Sequence, residues 1–380
     1  MQPARDANAF ADVFVEPSAL ARPLCVDLDG TLLCTDTLWE SVILLLKQRP
    51  WLIFLAPFWL LRGRAHFKEA VAGHTALNVA NLPYRSDLVA ALHAAKAAGR
   101  KLVLATAADA QIAEPIARHL GLFDAVFASE GGTNLKAQHK EARLVAEFGA
   151  QGFDYVGDSR ADLKVFRGAE RGYLVDASMA VATSGLSNVT VLSRKRSVLR
   201  AMIKQLRPHQ WAKNALVVLP ALLAPRFSLD HLIPGLIGAA AFSLCASAGY
   251  VFNDLLDLEA DRAHRTKKNR PLASGALPVA LGPPLFFGLL AGSLALSALL
   301  GSVGFTSMLI VYFAATLTYS FYLKRFTLLD VLVLAWLYTH RILSGGIATS
   351  VPLSAWLLAF SMFLFLSLAF VKRFVELSAL

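Results

Sequence analysis

Two folds are predicted in this one chain: an α/β unit built on a parallel sheet, followed by an all-α bundle of membrane-spanning helices. Composition is the first reason. Apolar types make up 56% of the 380 residues and charged types 17%, against about 45–50% and about 25% in an ordinary soluble domain. With a mean hydropathy of +0.52, this excludes a disordered chain, a coiled coil and a plain soluble enzyme. The second reason is a charge split. Residues 1–193 hold 19 Lys and Arg against 20 Asp and Glu, whereas residues 194–380 hold 18 against 7. The third is that short apolar runs ending in polar residues alternate with helical stretches over 22–176, the pattern of a parallel α/β sheet.

The elements follow in order. The first 22 residues mix Asp, Glu, Arg and Pro without an apolar core, so no signal peptide is expected and the first unit is assigned to the cytoplasm. Leu24-Cys25-Val26 reads as a buried strand ending at Asp27, 101–105 as a second and Asp154-Tyr155-Val156 as a third, with helices over 87–98 and 140–148. Residues 51–61 (WLIFLAPFWLL) are apolar and aromatic, flanked by Lys47, Arg49, Arg62 and Arg64. Eleven residues are too few to span a bilayer, which needs about 20. They form either a buried helix of the soluble unit or an interfacial segment with Trp anchors. A basic linker follows over 191–213. Six spans are then expected near 214–225, 232–252, 278–300, 303–323, 326–348 and 353–371. Cations cluster in the linker, the 253–270 loop, Lys324-Arg325 and Lys372-Arg373, while the opposite loops hold Arg226 or nothing. By the positive-inside rule the linker, motif loops and C-terminus face the cytoplasm of an inner-membrane protein. Cations that flank apolar runs point to a lipid bilayer and away from nucleic acid. Cys25, Cys34 and Cys245 make no metal or disulfide pattern.

Asp27-Leu28-Asp29-Gly30-Thr31 closes the first strand. In extended chain, positions i and i+2 face the same way, so both carboxylates enter one site. Such a pair suits one nucleophile and one acid/base group, with Mg²⁺ relieving the crowding. Thr106 ends the second strand, Lys140 opens a helix, and Gly157-Asp158-Ser159 with Asp162 follows the third. In this order DLDGT, VLAT, a Lys and GDSRAD resemble the four motifs of the haloacid dehalogenase (HAD) superfamily of phosphatases. The resemblance covers about 22–180. It implies a Rossmann-like domain over 1–190 with a helical cap over about 32–100, in which Asp27 attacks phosphorus and Asp29 protonates the leaving oxygen. It further implies that Thr106 and Lys140 hold phosphoryl oxygens, with Lys136 a rival for the lysine role. Asp27, Asp158 and Asp162, with the Asp29 carbonyl, would hold Mg²⁺.

Asn253-Asp254-x-x-Asp257-x-x-x-Asp261 follows the second expected span. On one continuous helix these four residues share a stripe. Four oxygen ligands there suit Mg²⁺ bridging to a diphosphate; a solvated loop accounts for the cations that follow but not for the stripe. NDxxDxxxD in this context resembles the UbiA superfamily of intramembrane prenyltransferases. RPHQWAKN, the run from Ala246 through NDLLDLEADRAHRTKKNRP, YSFYLK, RILSGG and KRFVEL are closest to its decaprenyl-phosphate phosphoribosyltransferase branch, which serves cell-wall arabinose assembly. The family usually carries about nine spans, so a region of 214–380 with six reads as truncated. The branch implies Mg²⁺ on Asn253, Asp254, Asp257 and Asp261. It also implies substrate contacts from Lys213, Asn214, Lys267, Arg270, Tyr319, Lys324, Arg341, Lys372 and Arg373. Asp330 and Arg341, three turns apart in one span, form either a mutual ion pair or substrate contacts.

The resemblances together imply a bifunctional membrane enzyme. Its UbiA-like half would transfer 5-phosphoribose from phosphoribosyl diphosphate to polyprenyl phosphate, and its HAD half would remove a phosphate from the lipid-linked product. The alternatives are a prenyltransferase acting on an aromatic acceptor, or a membrane-anchored phosphatase on an inactive UbiA scaffold. Lipid length and oligomeric state are not encoded in any motif.

Overall fold

The computed structural model describes residues 12–130, 135, 137–175, 185–192, 197–323 and 326–378. The chain divides into two compact units, Met1–Ala201 with Leu255–Ala280, and Met202–Asp254 with Leu281–Leu380.

The first unit is built on a six-stranded sheet of order β3-β2-β1-β4-β5-β6, every neighbouring pair parallel. The strands are β1 (Leu24–Val26), β2 (Leu102–Asp109), β3 (Ala125–Ser129), β4 (Asp154–Gly157), β5 (Arg171–Leu174) and β6 (Val189–Val191). Alternate residues feed two cores, one on each face. Leu24, Val26, Leu102, Leu104 and Val156 enter one; Cys25, Val103, Ala105 and Tyr155 enter the other. Residues buried on both faces give the continuous apolar runs seen in the sequence. The helices α1 (Thr37–Gln48), α2 (Arg64–Gly73), α3 (Ser86–Ala97), α4 (Ala110–Leu120) and α5 (Gln138–Phe148) complete the unit. Chain order reverses at β1, which pairs with β2 on one side and β4 on the other. At such a switch point the strands' carboxyl ends open a crevice.

A helical insertion leaves the sheet just after β1. An antiparallel bridge between Leu33 and Tyr84 closes its base, supported by Cys34 N–H to the Pro83 carbonyl at 2.8 Å and Arg85 N–H to the Leu32 carbonyl at 2.9 Å. Helix α3 lies beyond the bridge, and its Leu88, Ala91, Leu92 and Ala95 pack on the sheet. The insertion is therefore narrower than the 32–100 span expected of the cap.

Leu255–Ala280 packs against α1 within the same unit. Arg262 donates to both carboxylate oxygens of Glu40, at 2.6 and 3.0 Å, and to the Ala273 carbonyl at 2.9 Å. Glu40 also accepts from the Thr35 hydroxyl at 2.6 Å. Gly275, at φ +70°, lies so close to Cys34 that a Cβ would fall 2.2 Å from its carbonyl oxygen.

The second unit is helical. Among the described residues, five helices are long and apolar enough to cross a membrane: Leu229–Leu256, Val279–Leu299, Val303–Ser320, Leu328–Thr349 and Ala355–Val375. The first expected span, 214–225, is not a long helix. A 3₁₀ segment Pro208–Val217 leads into the single turn Leu219–Leu222. Pro208 and Pro220, each near the start of one of these pieces, interrupt the backbone hydrogen-bond ladder that a long helix needs.

Candidate active sites

The first site lies at the carboxyl ends of β1, β2 and β4. Asp27 leaves β1 extended (ψ 158°) and the chain then turns tightly through Leu28–Leu32. Gly30 adopts φ +74°, and a Cβ there would lie 2.1 Å from Asp158 Oδ2. Only glycine satisfies both the left-handed backbone and the close approach. Arg85, buried, fastens this turn by donating to the Gly30 and Thr31 carbonyls at 2.8 and 2.9 Å. Asp29 accepts from Thr37 N–H at 2.7 Å, at the first turn of α1, where the helix dipole favours a carboxylate. Asp36 caps the same helix through Leu38 and Trp39 N–H.

Helix α5 carries Lys140 to Asp27, 2.8 Å away. Its ammonium also donates to Tyr155 Oη at 2.9 Å and reaches Asp162 at 3.5 Å. Tyr155 donates to Asp162 at 2.7 Å, and Ser159 donates to it through N–H and hydroxyl at 3.0 and 2.7 Å. Asp162 is thus richly hydrogen-bonded and positions Lys140. Asp158, by contrast, accepts one long bond among the described residues, 3.3 Å from the Thr31 hydroxyl. Oxygens of Asp27, Asp158 and Asp162 all lie within 4.8 Å of one another.

Electrostatics follow from this crowding. Burial first, then the neighbouring Asp27 and Asp162 charges, push Asp158 up to about 8. Burial and Asp162 also outweigh Lys140 and hold Asp27 at about 6. Asp29, raised by burial and by Asp36, sits near 7. Burial opposes the charge on Lys140, but Asp27 and Asp162 more than compensate and keep the ammonium protonated. Three crowded carboxylates against one ammonium, with Asp158 short of donors, form a donor set that fits a divalent cation with oxygen ligands.

Asp27, Asp29, Lys140, Asp158 and Asp162 line one cleft of about 560 Å³. Thr106 does not. It is fully buried, and its hydroxyl accepts from Ala108 N–H at 3.0 Å. Lys136 lies outside the described residues. Sequence reasoning missed Tyr155, Ser159, Arg85 and the cap residue Lys68, which lines the cleft and donates to the Ala107 carbonyl at 2.7 Å. Only Ser159, inside the GDSRAD string, carried a sequence signal.

The acidic motif of the membrane half departs from one continuous stripe. The long helix ends at Leu256, Asp257 turns (φ −100°, ψ 13°), and a short helix Leu258–Ala263 begins afresh. Each carboxylate is held by a different cation. Asp254 accepts from Arg207 through both oxygens at 2.7 Å and from Gln205 at 2.7 Å. Asp257 lies 4.0 Å from Lys47, and Asp261 accepts from Arg270 at 2.6 Å. Asn253 donates to the Ser320 hydroxyl at 2.9 Å. Lys267 sits exposed in a turn.

Asp330 and Arg341 do not pair. Tyr319 donates to Asp330 at 2.5 Å, and Arg373 lies 3.8 Å from it. Arg341 is buried and donates to Asn214 at 2.9 Å, Tyr312 at 2.8 Å and the Leu337 carbonyl at 2.7 Å. Lys213 lies 6.0 Å from the Tyr338 ring centroid, and Arg341 lies 5.4 Å from the same centroid. Lys324 and the side chain of Lys372 lie outside the described residues.

Residues 24–167 match the haloacid dehalogenase-like hydrolase family, and residues 215–378 match the UbiA prenyltransferase family. The chain belongs to both families. It is an enzyme whose α/β hydrolase region precedes a multi-pass membrane region of the UbiA type. Among its relatives is the uncharacterized protein y4nM of Sinorhizobium fredii, 39% identical over 360 residues, which covers 93% of this chain and 69% of the relative. The decaprenyl-phosphate phosphoribosyltransferase of Mycobacterium tuberculosis is 35% identical over 197 residues, covering 50% of this chain and 65% of that protein. The nodulation protein NoeC of Azorhizobium caulinodans is 37% identical over 178 residues, covering 46% and 56%. The chain thus spans little more than half to about two thirds of these relatives' lengths.

Proposed function

We propose that the membrane half transfers 5-phosphoribose from phosphoribosyl diphosphate to polyprenyl phosphate, and that the hydrolase half removes the phosphate monoester from the lipid-linked product. The observation that carries this reading is the Asp27–Lys140–Asp162 constellation beside Asp158, in a chain whose other half is similar to a decaprenyl-phosphate phosphoribosyltransferase.

In the hydrolase step Asp27 attacks phosphorus, a P–O bond forms to its carboxylate and the ester P–O bond breaks. Asp29, pushed up to about 7, is about half protonated at neutral pH, and in that form gives its proton to the leaving oxygen. It then takes a proton from the water that attacks the aspartyl-phosphate, which releases inorganic phosphate and restores Asp27. Lys140 holds a phosphoryl oxygen, and Tyr155 and Ser159 keep Asp162 aimed at that lysine. Asp27, Asp158 and Asp162 would hold Mg²⁺, which neutralises phosphoryl charge when bound. In the membrane half, Asn253, Asp254, Asp257 and Asp261 are the proposed Mg²⁺ ligands. Arg341 has no carboxylate within 4.0 Å among the described residues, so a buried cation in a candidate span is available for a substrate phosphate. Lys213, Asn214, Tyr319, Lys267, Arg270, Lys324, Lys372 and Arg373 complete the proposed phosphate contacts.

The same reading places the hydrolase on the cytoplasmic face of the inner membrane. Leu255–Ala280, which follows the first candidate span, belongs to the hydrolase unit, which supports one common side. The irregular segment before that span then has to cross.

Purified full-length protein should be given polyprenyl phosphate, Mg²⁺ and radiolabelled phosphoribosyl diphosphate. The reading expects labelled ribosyl lipid, and its 5-phosphorylated form in Asp27→Asn. Absence of any labelled lipid sinks the transferase assignment, and an unchanged product in Asp27→Asn sinks the hydrolase assignment.

A further inference from the structure

The cap presents an apolar surface with no core beneath it. Pro50–Leu55 is a 3₁₀ segment and Ala56–Leu61 a short helix, and neither has a buried residue. Trp51 is 62% exposed, Phe54 77%, Phe58 64% and Leu61 83%. Of the aromatic residues in this segment, Trp59 is stacked on a ring partner, His74, at 5.5 Å. A buried core helix, one of the two readings the sequence left open, does not look like this. Monomeric proteins rarely leave contiguous aromatic surface of this kind to water.

Charge indicates what covers it. Residues 41–68 contain five Lys and Arg and no Asp or Glu. Arg49, Arg62 and Arg64 are exposed at the two ends of the apolar stretch. Aromatic and aliphatic residues bounded by cations are the pattern of a segment lying in the interface of an anionic bilayer. Six residues at about 2 Å and six at about 1.5 Å make roughly 21 Å, too short to span. The chain's own candidate spans keep such a segment tethered to a membrane.

A second feature ties this surface to chemistry. One cavity of about 480 Å³ is lined both by Leu60 and Arg64, at the end of the segment, and by Phe67, Lys68, Asp29 and Asp109. Asp29 and Lys68 also line the Asp27 cleft. The cavity's walls combine apolar and cationic side chains with carboxylates.

We propose that Pro50–Leu61 is a platform seated in an anionic bilayer surface, and that the cavity beside it leads the head group of a bilayer-borne phosphate monoester to Asp29 and Asp27. This rests on the phosphatase reading. It goes beyond that reading in assigning how substrate arrives: from the lipid phase, along the cap. A soluble phosphate ester needs no platform.

The test uses the full chain in nanodiscs of phosphatidylcholine with and without phosphatidylglycerol. Two substrates are compared, soluble p-nitrophenyl phosphate and a long-chain prenyl monophosphate in the same bilayer. In the combined variant Trp51→Ser, Phe54→Ser, Phe58→Ser, kcat/KM for the bilayer substrate should fall at least tenfold, with the soluble substrate unchanged. In Arg49→Gln with Arg62→Gln, the advantage given by phosphatidylglycerol should disappear. Independently, brominated lipids should quench a fluorescence component that Trp51→Phe removes. Unchanged turnover of the bilayer substrate in the Ser variant overturns the proposal, as does equal loss on both substrates. A Trp51 component shielded from brominated lipid, with two copies of the chain associated through this surface, overturns it in favour of a protein partner. Quenching of Trp51 without hydrolysis of either substrate removes the phosphatase reading and leaves the platform standing.

Discussion

Asp27 and Asp29 are two residues apart yet have opposite tasks, and their surroundings separate them. Asp27 faces Lys140 at 2.8 Å and must be ionised to attack; burial and Asp162 hold it near 6. Asp29 faces the α1 N-terminus and must carry a proton; burial and Asp36 hold it near 7. With an alkyl phosphate, kcat/KM should rise as pH passes about 6 and Asp27 loses its proton. It should fall as pH passes about 7 and Asp29 loses its own. A bound divalent cation favours the Asp27 carboxylate and moves the acid limb lower. Nitrophenolate leaves without needing a proton, so p-nitrophenyl phosphate should flatten the alkaline limb. A profile identical for the two substrates would remove Asp29 from the acid role. Gly30 gives a second test. A methyl at Gly30 would displace Asp158, so Gly30→Ala should lower kcat/KM at least about a hundredfold. Circular dichroism should stay unchanged, because the sheet lies below the turn.

The contact of α1 with Leu255–Ala280 is an ion pair inside one compact unit. The side chains of Glu40 and Arg262 are 5% and 7% exposed, and the bidentate geometry satisfies both. Removing one partner strands a buried charge, so Glu40→Gln or Arg262→Met alone should cost about 3–5 kcal/mol, whereas replacing both by Met should cost far less. Thermal unfolding of the full chain followed through the hydrolase unit measures this, and a double-variant loss equal to the sum of the two single losses would show the pair to be uncoupled. Nothing in the sequence announced this contact. Glu40 and Arg262 are 222 residues apart, and each reads alone as a solvated helix charge. What could be read was whatever local periodicity or a short string encodes. The β1, β2 and β4 runs were legible because strands buried on both faces are continuously apolar, and DLDGT and GDSRAD because a tight turn fixes their spacing. Tyr155 was hidden because a tyrosine in an apolar strand looks like core, and it is core until its hydroxyl meets Asp162. The break at Asp257 was hidden because a four-residue recurrence of carboxylates fits a continuous helix equally well. Pro208 and Pro220 were visible, but hydropathy averaged over a window passes over the hydrogen bonds they remove.

The two sites draw on different parts of the chain. Asp27 is held by Lys140 in the first unit, while Asp254 is held by Arg207 and Gln205 in the second. Two separately built sites should fail separately. Asp27→Asn removes the nucleophile and leaves every Asp254 contact in place, so phosphate release should drop by about a thousandfold or more while label still passes to lipid. Asp254→Asn leaves Asp27 and Lys140 untouched. It weakens a proposed Mg²⁺ ligand and deprives Arg207 of its counter-charge, so lipid labelling should fall by about a hundredfold. Hydrolysis of p-nitrophenyl phosphate should continue. The phosphorylated intermediate distinguishes a sequential pair of reactions from two unrelated activities. Its label should accumulate in Asp27→Asn and be absent from Asp254→Asn. It should also chase to the dephosphorylated lipid when Asp254→Asn protein, still competent as a hydrolase, is added to the Asp27→Asn reaction. A chase that fails while Asp254→Asn still cleaves p-nitrophenyl phosphate would mean that the hydrolase acts on another monoester and that the two reactions share a chain without sharing a product.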